Sequence, residues 1–397
     1  MPRVLQIINR LNIGGPTYIA AYLTAYLDDE FETKLVAGMK DDSEESSDFI
    51  VREMGIEPVF IEHMHREINF KNDREAYRQI AQIIREFKPD IVHTHAAKAG
   101  TLGRLAAWRN KVPVILHTFH GHVFHSYFGP LKTRLFIYVE RFLARISSGI
   151  IAISEEQKRE LAGVFAICKP DKVFVVPLGI DLGRFFERMD EKRASFRKKY
   201  HLDDDTLAVG MIGRIVPVKN HRLFLRAWKK VLEQSTVKIH AFMIGDGEDR
   251  EKMELLCTEL RLIYNVGEEN KPGATVTFTS WIMDIERGVA GMDIVALTSL
   301  NEGTPVSLIE AQAAGKPIVS TLVGGIANIV LPGKTALLAA SNDVEGFTTN
   351  LLAIVNDPEL RAAMQVEGPG FAQSKFGYQR LVKDTQVLYK ALLKSKQ

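Results

Sequence analysis

Short apolar runs rich in Val and Ile alternate along the chain with stretches in which apolar residues return every three or four positions. VLQII (residues 4–8), TKLVA (33–37), PVFIE (58–62), DIVHTH (90–95), PVILHTF (113–119), GIIAIS (149–154) and KVFVVP (172–177) read as strands. PTYIAAYLTAYL (16–27), DREAYRQIAQIIREF (73–87) and LKTRLFIYVERFLARI (131–146) carry the helical period. The runs are apolar on both faces, as parallel strands covered by helices must be. Near residue 180 the turn-rich LGIDLGRFF breaks the series, which then restarts. A charged helix at 190–200 leads to strands at 207–213, 238–245, 275–278, 293–297 and 317–321, with helices around 223–233 and 251–260. Strands alternating with helices imply βαβ units. The fold class is therefore α/β, with two Rossmann-like parallel-sheet domains, 1–180 and 181–375, facing a cleft. The amphipathic helix YQRLVKDTQVLYKALL follows a polar break near Phe376 and closes the chain over 376–397.

Composition narrows the class without choosing a chemistry. Of 397 residues, 46% are apolar and 25% charged, an ordinary soluble mix that can fill two cores. The net charge of +2 gives no argument for nucleic acid. Cys168 and Cys257 are far apart and in no metal-like spacing, which fits a reducing compartment. The apolar run near Met1 is too short for a signal peptide core, and no run approaches the roughly 18 residues of a membrane span. A cytoplasmic location is expected, with a surface patch as the route to a membrane.

Ligands of open α/β sheets bind beyond the carboxyl ends of strands, so the loops there hold the candidate chemistry. INRLNIGGPTYIA ends in Gly14-Gly15 before a helix start, which suits an anion or an ordinary βα turn. GRIVPVKN places Gly213, Arg214 and Lys219 after a strand. A guanidinium fork and an ammonium point charge suit a diphosphate, and they also suit solvent. Gly245 and Gly247 make a tight turn. His117, His120, His122 and His125 cluster after a strand, but Gly121 breaks the face and no carboxylate or cysteine completes a metal site. One histidine lining the cleft is the simpler reading. His93 and His95 sit at another strand end, one of them facing core or solvent. In NEGTPVSLIEAQAAGKPIV, Thr304 can cap a helix that Pro305 begins and Gly315 ends. Glu302 then lies on the loop and Glu310 inside an apolar helix, where it meets donors or sits on the wet face.

Taken together these loops resemble the retaining GT-B glycosyltransferases of family 4, over essentially the whole chain. The specific elements are Glu-x7-Glu (Glu302 to Glu310) and GR-xxxx-K (Gly213-Arg214 to Lys219). IGG at 13–15, His120-Gly121, SEEQK at 154–158, PLGID at 177–181 and GDG at 245–247 follow in the family's order. The resemblance implies an acceptor-side first domain, a nucleotide-sugar domain at 181–375, and a last helix that crosses back to the first. It implies that Arg214 and Lys219 bind the donor diphosphate, and that Glu310 accepts from the ribose hydroxyls. Glu302 would hold the sugar, helped by the N–H groups of Gly303, Thr304, Pro305's neighbours and Val306. Gly14 and Gly15 would close over the phosphates, and His120 would line the site near the sugar and β-phosphate. No metal or other cofactor is implied, and Asp203-Asp204-Asp205 reads as surface. The reaction implied retains configuration and moves a hexose or N-acetylhexosamine, UDP being the expected nucleotide. The sequence departs from the pattern at Thr304-Pro305 and after Val323-Gly324-Gly325.

The acceptor implied is a glycan or a lipid-linked hydroxyl. Lys98 to Arg145 holds eight cations against one acid, Glu140, interleaved with Trp108, Phe119, Phe124, Tyr127, Phe128, Phe136 and Tyr138. Such a surface can lie on an anionic membrane, or its aromatics can be core and its cations solvated. Rival readings are a sugar-nucleotide 2-epimerase of the same fold, a His-cluster metal hydrolase and a non-catalytic nucleotide-sugar sensor.

Overall fold

A computed structural model describes residues 1–12, 15–27, 30–39, 48–65, 67–121 and 130–396. The chain forms two compact units, Met1–Ile180 with Phe376–Gln397, and Asp181–Lys375.

The first unit holds β1 (Arg3–Ile8), β2 (Glu32–Gly38), β3 (Val59–Ile61), β4 (Ile91–His95), β5 (Val114–Phe119), β6 (Gly149–Ala152) and β7 (Val173–Val175). They pair in parallel in the order β3-β2-β1-β4-β5-β6-β7. Because side chains alternate along a strand, β1 feeds two cores. Leu5 and Ile7 pack with Ile80, Ile84 and Val92, while Val4 packs with Ile19, Leu23 and Ile91. The final helix, Tyr378–Lys394, repeats its apolar residues at helical spacing and buries Leu381, Val382, Leu388 and Tyr389 in the core around Val4. Its entry is fastened where Ile180 bridges Gly377.

The second unit holds β8 (Leu207–Ile212), β9 (Ile239–Ile244), β10 (Tyr264–Val266), β11 (Val276–Ser280), β12 (Ile294–Leu297), β13 (Ile318–Thr321) and β14 (Ala336–Ala339). Their order is β10-β11-β9-β8-β12-β13-β14, again parallel. The sequence pattern does not announce β10 and β14. They are the two edges of this sheet, only three and four residues long. The helix Ala97–Arg109 is also unannounced, because its buried face is built from Ala99, Gly100, Gly103, Ala106 and Ala107 rather than large apolar residues.

Strand order reverses between β1 and β4 in one sheet and between β8 and β12 in the other. Loops leaving these strands splay apart and open a crevice at the sheet's carboxyl edge. Gln6, His95, Lys219 and Glu302 all lie on these strands or in the loops that leave them.

Candidate active site

In the second unit, three loops are locked backbone to backbone. Gly245 has φ 139°, and a Cβ there would lie 2.1 Å from the carbonyl oxygen of Gly213. Only glycine lets the β8 and β9 loops approach so closely. Ile215 N–H then donates to Asp246 O at 2.9 Å. The β12 loop joins them through Leu300 N–H to Val218 O, 2.8 Å, and Thr298 Oγ1 to Asn220 O, 3.0 Å. Gly324 (φ 51°) supports the same loop from behind, where a Cβ would meet Glu302 O at 1.9 Å. Gly325 N–H donates to that oxygen at 3.0 Å. The Val323-Gly324-Gly325 run is thus the platform on which the Glu302 loop rests.

This packing brings Lys219 and Glu302 together. Lys219 Nζ is 2.5 Å from Glu302 Oε1, which also accepts from Ser299 Oγ at 2.6 Å. Both side chains are largely buried, at 19% and 11% exposure, so water screens the pair weakly. Lys219 lies over Gly213. Arg214, on the same loop, is exposed and has no side-chain partner among the described residues. A free guanidinium therefore stands on the loop that also carries an ammonium already held by a carboxylate.

Glu310 is placed differently. The helix runs Val306–Ala313, and Pro305 is its N-cap with no side-chain capping bond. The expected Thr304 cap and Pro305 first-turn position are corrected: Pro305 has a helix-compatible φ of −68° but an extended ψ of 108°, so the helix begins one residue later. Gly303 and Val306 are exposed and Thr304 is half-buried. Glu310 is not on the wet face, since it is only 7% exposed. Its Oε1 is 3.6 Å from Arg184 Nη2, beyond a good hydrogen bond, and Arg184 Nη1 is 3.9 Å from Glu286 Oε2. Burial raises the Glu310 carboxyl to about 7; Arg184 opposes the rise and Glu286 adds to it. A buried carboxylate with no close donor is costly, so the site favours a ligand that brings donors. Arg184 and Glu286 escape sequence reasoning: Arg184 sits in a stretch that reads only as a break, and neither has a diagnostic spacing. Asp204 is fully exposed, in keeping with a surface turn.

In the first unit, Gly15 opens the helix Gly15–Ala25 directly after the β1 loop and is exposed. Gly14 and Ile13 lie outside the described residues, as do His122, His125, Phe124, Tyr127 and Phe128. His120 follows β5 and is half-buried, with Nε2 2.9 Å from His95 Nδ1. Neither His93 nor His95 faces solvent. Two residues apart, they share one strand face, and their rings lie 4.4 Å apart, tilted by 35°, in the core. His117 takes the opposite face beside Gly100 and Arg104. Among the described residues, no group of three or more His, Cys, Asp or Glu is placed to hold a metal ion.

The basic segment is less basic at its surface than in sequence. Arg104 is wholly buried and bonds both oxygens of Glu140, at 3.0 and 2.8 Å. Lys98 is paired with Asp73, and Phe119 belongs to the core. What remains outside is a stripe on the helix Pro130–Ile146: Leu131, Leu135, Tyr138 and Phe142, flanked by exposed Lys132, Arg134 and Arg145. Trp108 meets Phe142 edge-on. Among the described residues, no helix is long and apolar enough to cross a membrane.

Comparisons with known proteins match both units of the chain. The sequence profile of glycosyl transferases group 1 matches residues 192–370, and that of Glycosyltransferase Family 4 matches residues 13–184. An Escherichia coli UDP-Gal:alpha-D-GlcNAc-diphosphoundecaprenol alpha-1,3-galactosyltransferase is 28% identical over 306 residues, 77% of this chain and 76% of that protein. The capsular polysaccharide biosynthesis glycosyltransferase CapM of Staphylococcus aureus is 24% identical, over 83% and 84% of the two chains. Anabaena Alr3699/HepE, solved with UDP, superposes with a TM-score of 0.80 at 18% identity, over 98% of this chain and 100% of that one.

Proposed function

The chain belongs to the group 1, family 4 glycosyltransferases of the GT-B fold, and from that premise we propose that it transfers a hexose or N-acetylhexosamine from a UDP-sugar, with retention, to a lipid-linked or glycan hydroxyl. The observation that carries the reading is the Lys219–Glu302 pair beside the unpartnered Arg214, at the point where the second sheet reverses its strand order. A relative whose name specifies a UDP-galactose donor and a diphosphoundecaprenol-linked acceptor, and a neighbour solved with UDP, support this donor and acceptor class.

In this reading Arg214 and Lys219 hold the diphosphate and stabilise it as it leaves, the electrostatic contribution that dominates such transfers. Glu302, bonded to Lys219, holds a sugar hydroxyl next to the developing charge. Glu310 accepts from the ribose hydroxyls and is relieved of its donor deficit. Gly213, Gly303, Thr304, Pro305 and Val306 shape the donor side of the site, and the roles of Gly14, Gly15 and His120 toward the donor rest on the family resemblance alone. The acceptor proton passes to the leaving phosphate on the same face, and Arg214 and Lys219 supply the positive charge that a metal ion would otherwise bring to the diphosphate. The stripe Leu131–Phe142 with its flanking cations supports peripheral contact with an anionic membrane, where a lipid-linked acceptor resides. The location proposed with it is the cytoplasmic face.

The test is incubation with a panel of labelled UDP-sugars and a lipid extract, followed by determination of the anomeric configuration of the product. A product of retained configuration supports the proposal; inverted product, epimer or free sugar alone overturns it.

A further inference from the structure

β12 ends at Leu297, and the two residues that leave it, Thr298 and Ser299, are both 0% exposed. A buried hydroxyl is retained where it finds a partner, and each of these finds one half of the Lys219–Glu302 pair. Thr298 Oγ1 lies 3.0 Å from Asn220 O and 3.2 Å from Lys219 O, so its single proton goes to the backbone that carries the ammonium. Ser299 Oγ lies 2.6 Å from Glu302 Oε1, so its proton goes to the carboxylate. Ser299 is itself held from β13, whose Thr321 Oγ1 donates to Ser299 O at 2.7 Å.

The direction of every bond in this group is fixed. A carbonyl oxygen only accepts, and so does a carboxylate paired with an ammonium. Thr298, Ser299 and Thr321 are therefore the donors, and reversing any of them would set two oxygens together with no proton between. The consequence falls on Glu302. Its Oε1 takes both Lys219 Nζ and Ser299 Oγ, which fills the two lone pairs of that oxygen. Its Oε2 has no partner among the described residues. Lys219 by itself cannot choose between the two oxygens, because an ammonium is a point charge that either can satisfy. The Ser299 hydroxyl, three residues away on the same loop, breaks that equivalence.

We propose that Thr298 and Ser299 are positioning residues with separate duties: Thr298 sets the backbone of Lys219, and Ser299 turns the Glu302 carboxylate so that Oε2 is the oxygen presented to the donor sugar. The inference rests on the reading of Lys219 as a diphosphate contact and Glu302 as a sugar contact, and it adds what aims them. Both hydroxyls are wholly buried, so they act through the pair. Thr298 then governs how tightly the nucleotide diphosphate is held, and Ser299 governs how much affinity the sugar adds to it.

The test is calorimetric titration of the full chain with UDP and with UDP-glucose, UDP-galactose and UDP-N-acetylglucosamine, with turnover measured beside it. In Ser299→Ala, UDP affinity is expected to stay within about twofold of wild type, while the preferred UDP-sugar weakens about fivefold, the scale of one hydrogen bond. Turnover falls with it. Ser299→Cys keeps the size and is a weaker donor; it shows the same split at smaller amplitude, and it carries the test if the alanine variant does not fold. In Thr298→Val, which keeps the shape, UDP and UDP-sugar weaken together by about fivefold, and the ratio between them is unchanged. A loop that had merely loosened would weaken both ligands in every variant. Equal losses for UDP and UDP-sugar at position 299 overturn the proposal, and so does an unchanged UDP-sugar affinity there. The expected split in a protein that transfers no sugar would uphold the positioning and remove the transferase reading; transfer by Ser299→Ala with wild-type affinities and rate would do the reverse. A wild type that binds none of the four ligands would remove both.

Discussion

Lys219 and Glu302, 83 positions apart, are joined by a 2.5 Å contact between Nζ and Oε1. The pair is set by the protein's own packing, because the β8 and β12 loops are bonded to each other through Val218, Asn220, Thr298 and Leu300. An ammonium held in this way is aimed before the diphosphate arrives, so little reorganisation is left to binding. Each partner also limits what the other can do.

The two residues are therefore expected to fail differently. Lys219→Ala removes a charge that the leaving diphosphate needs, so turnover should fall by about a hundredfold and UDP should bind more weakly. Glu302→Gln keeps the shape but loses the carboxylate charge and one of its two acceptor oxygens. Turnover and sugar choice should suffer while affinity for free UDP changes by less than about threefold. Calorimetric titration of both variants with UDP decides it. Equal losses of UDP affinity would show that the pair acts as one unit on the phosphate.

Glu310 gives a pH signature. Its folded carboxyl titrates near 7, against an ordinary value near 4.5. Between these values the folded chain keeps a proton that the unfolded chain has lost, so stability declines as pH rises across that window. The loss is at most about 3 kcal/mol, and it is complete above pH 7. Glu310→Gln mimics the protonated form. It should match the wild type near pH 4.5 and exceed it by about 2–3 kcal/mol at pH 8 in urea unfolding, while binding UDP less well. Parallel stability curves over this range would count against a buried, donor-poor carboxyl.

Much of the fold was legible in sequence because parallel strands covered on both faces read as unbroken Val/Ile runs. β1 and β8 are examples, whereas Glu302, Glu310, Arg214 and Lys219 stand out only together, as elements of a family resemblance. What stayed hidden was encoded by contact rather than period. Gln6 looks like a blemish in VLQII, and only the folded sheet sets it between His95 and Tyr389, 383 residues from its own position in the latter case. Arg104 and Glu140 read as surface charges because no local pattern marks a buried ion pair. Arg184 stands in a turn, and its proximity to Glu310 depends on tertiary packing alone.

The Arg104–Glu140 pair is a structural debt that can be exposed by mutation. Arg104→Met leaves Glu140 buried beside the core with no counter-charge, which should cost about 3–5 kcal/mol. Replacing both, Arg104→Met with Glu140→Leu, removes the uncompensated charge and should regain most of that loss. Thermal melting of the two variants tests this: a double variant no more stable than the single one would mean the pair holds the helices Ala97–Arg109 and Pro130–Ile146 in register.

The helix Pro130–Ile146 separates two contributions to membrane contact. Its apolar stripe, led by Leu131 at 83% and Leu135 at 63% exposure, would enter the headgroup region, while Lys132 and Arg134 attract anionic lipid. Neutralising both cations, Lys132→Gln with Arg134→Gln, removes about 1 kcal/mol each, so partitioning onto anionic vesicles should fall about thirtyfold at low salt and hardly at all at high salt. Leu135→Ser should lower binding about tenfold at both salt concentrations, because burial of a leucine is not screened. Flotation of the full chain with vesicles containing and lacking anionic lipid measures each. A wild-type chain that fails to float at low salt would remove the membrane contact and leave the lipid-linked acceptor to reach the enzyme in another way.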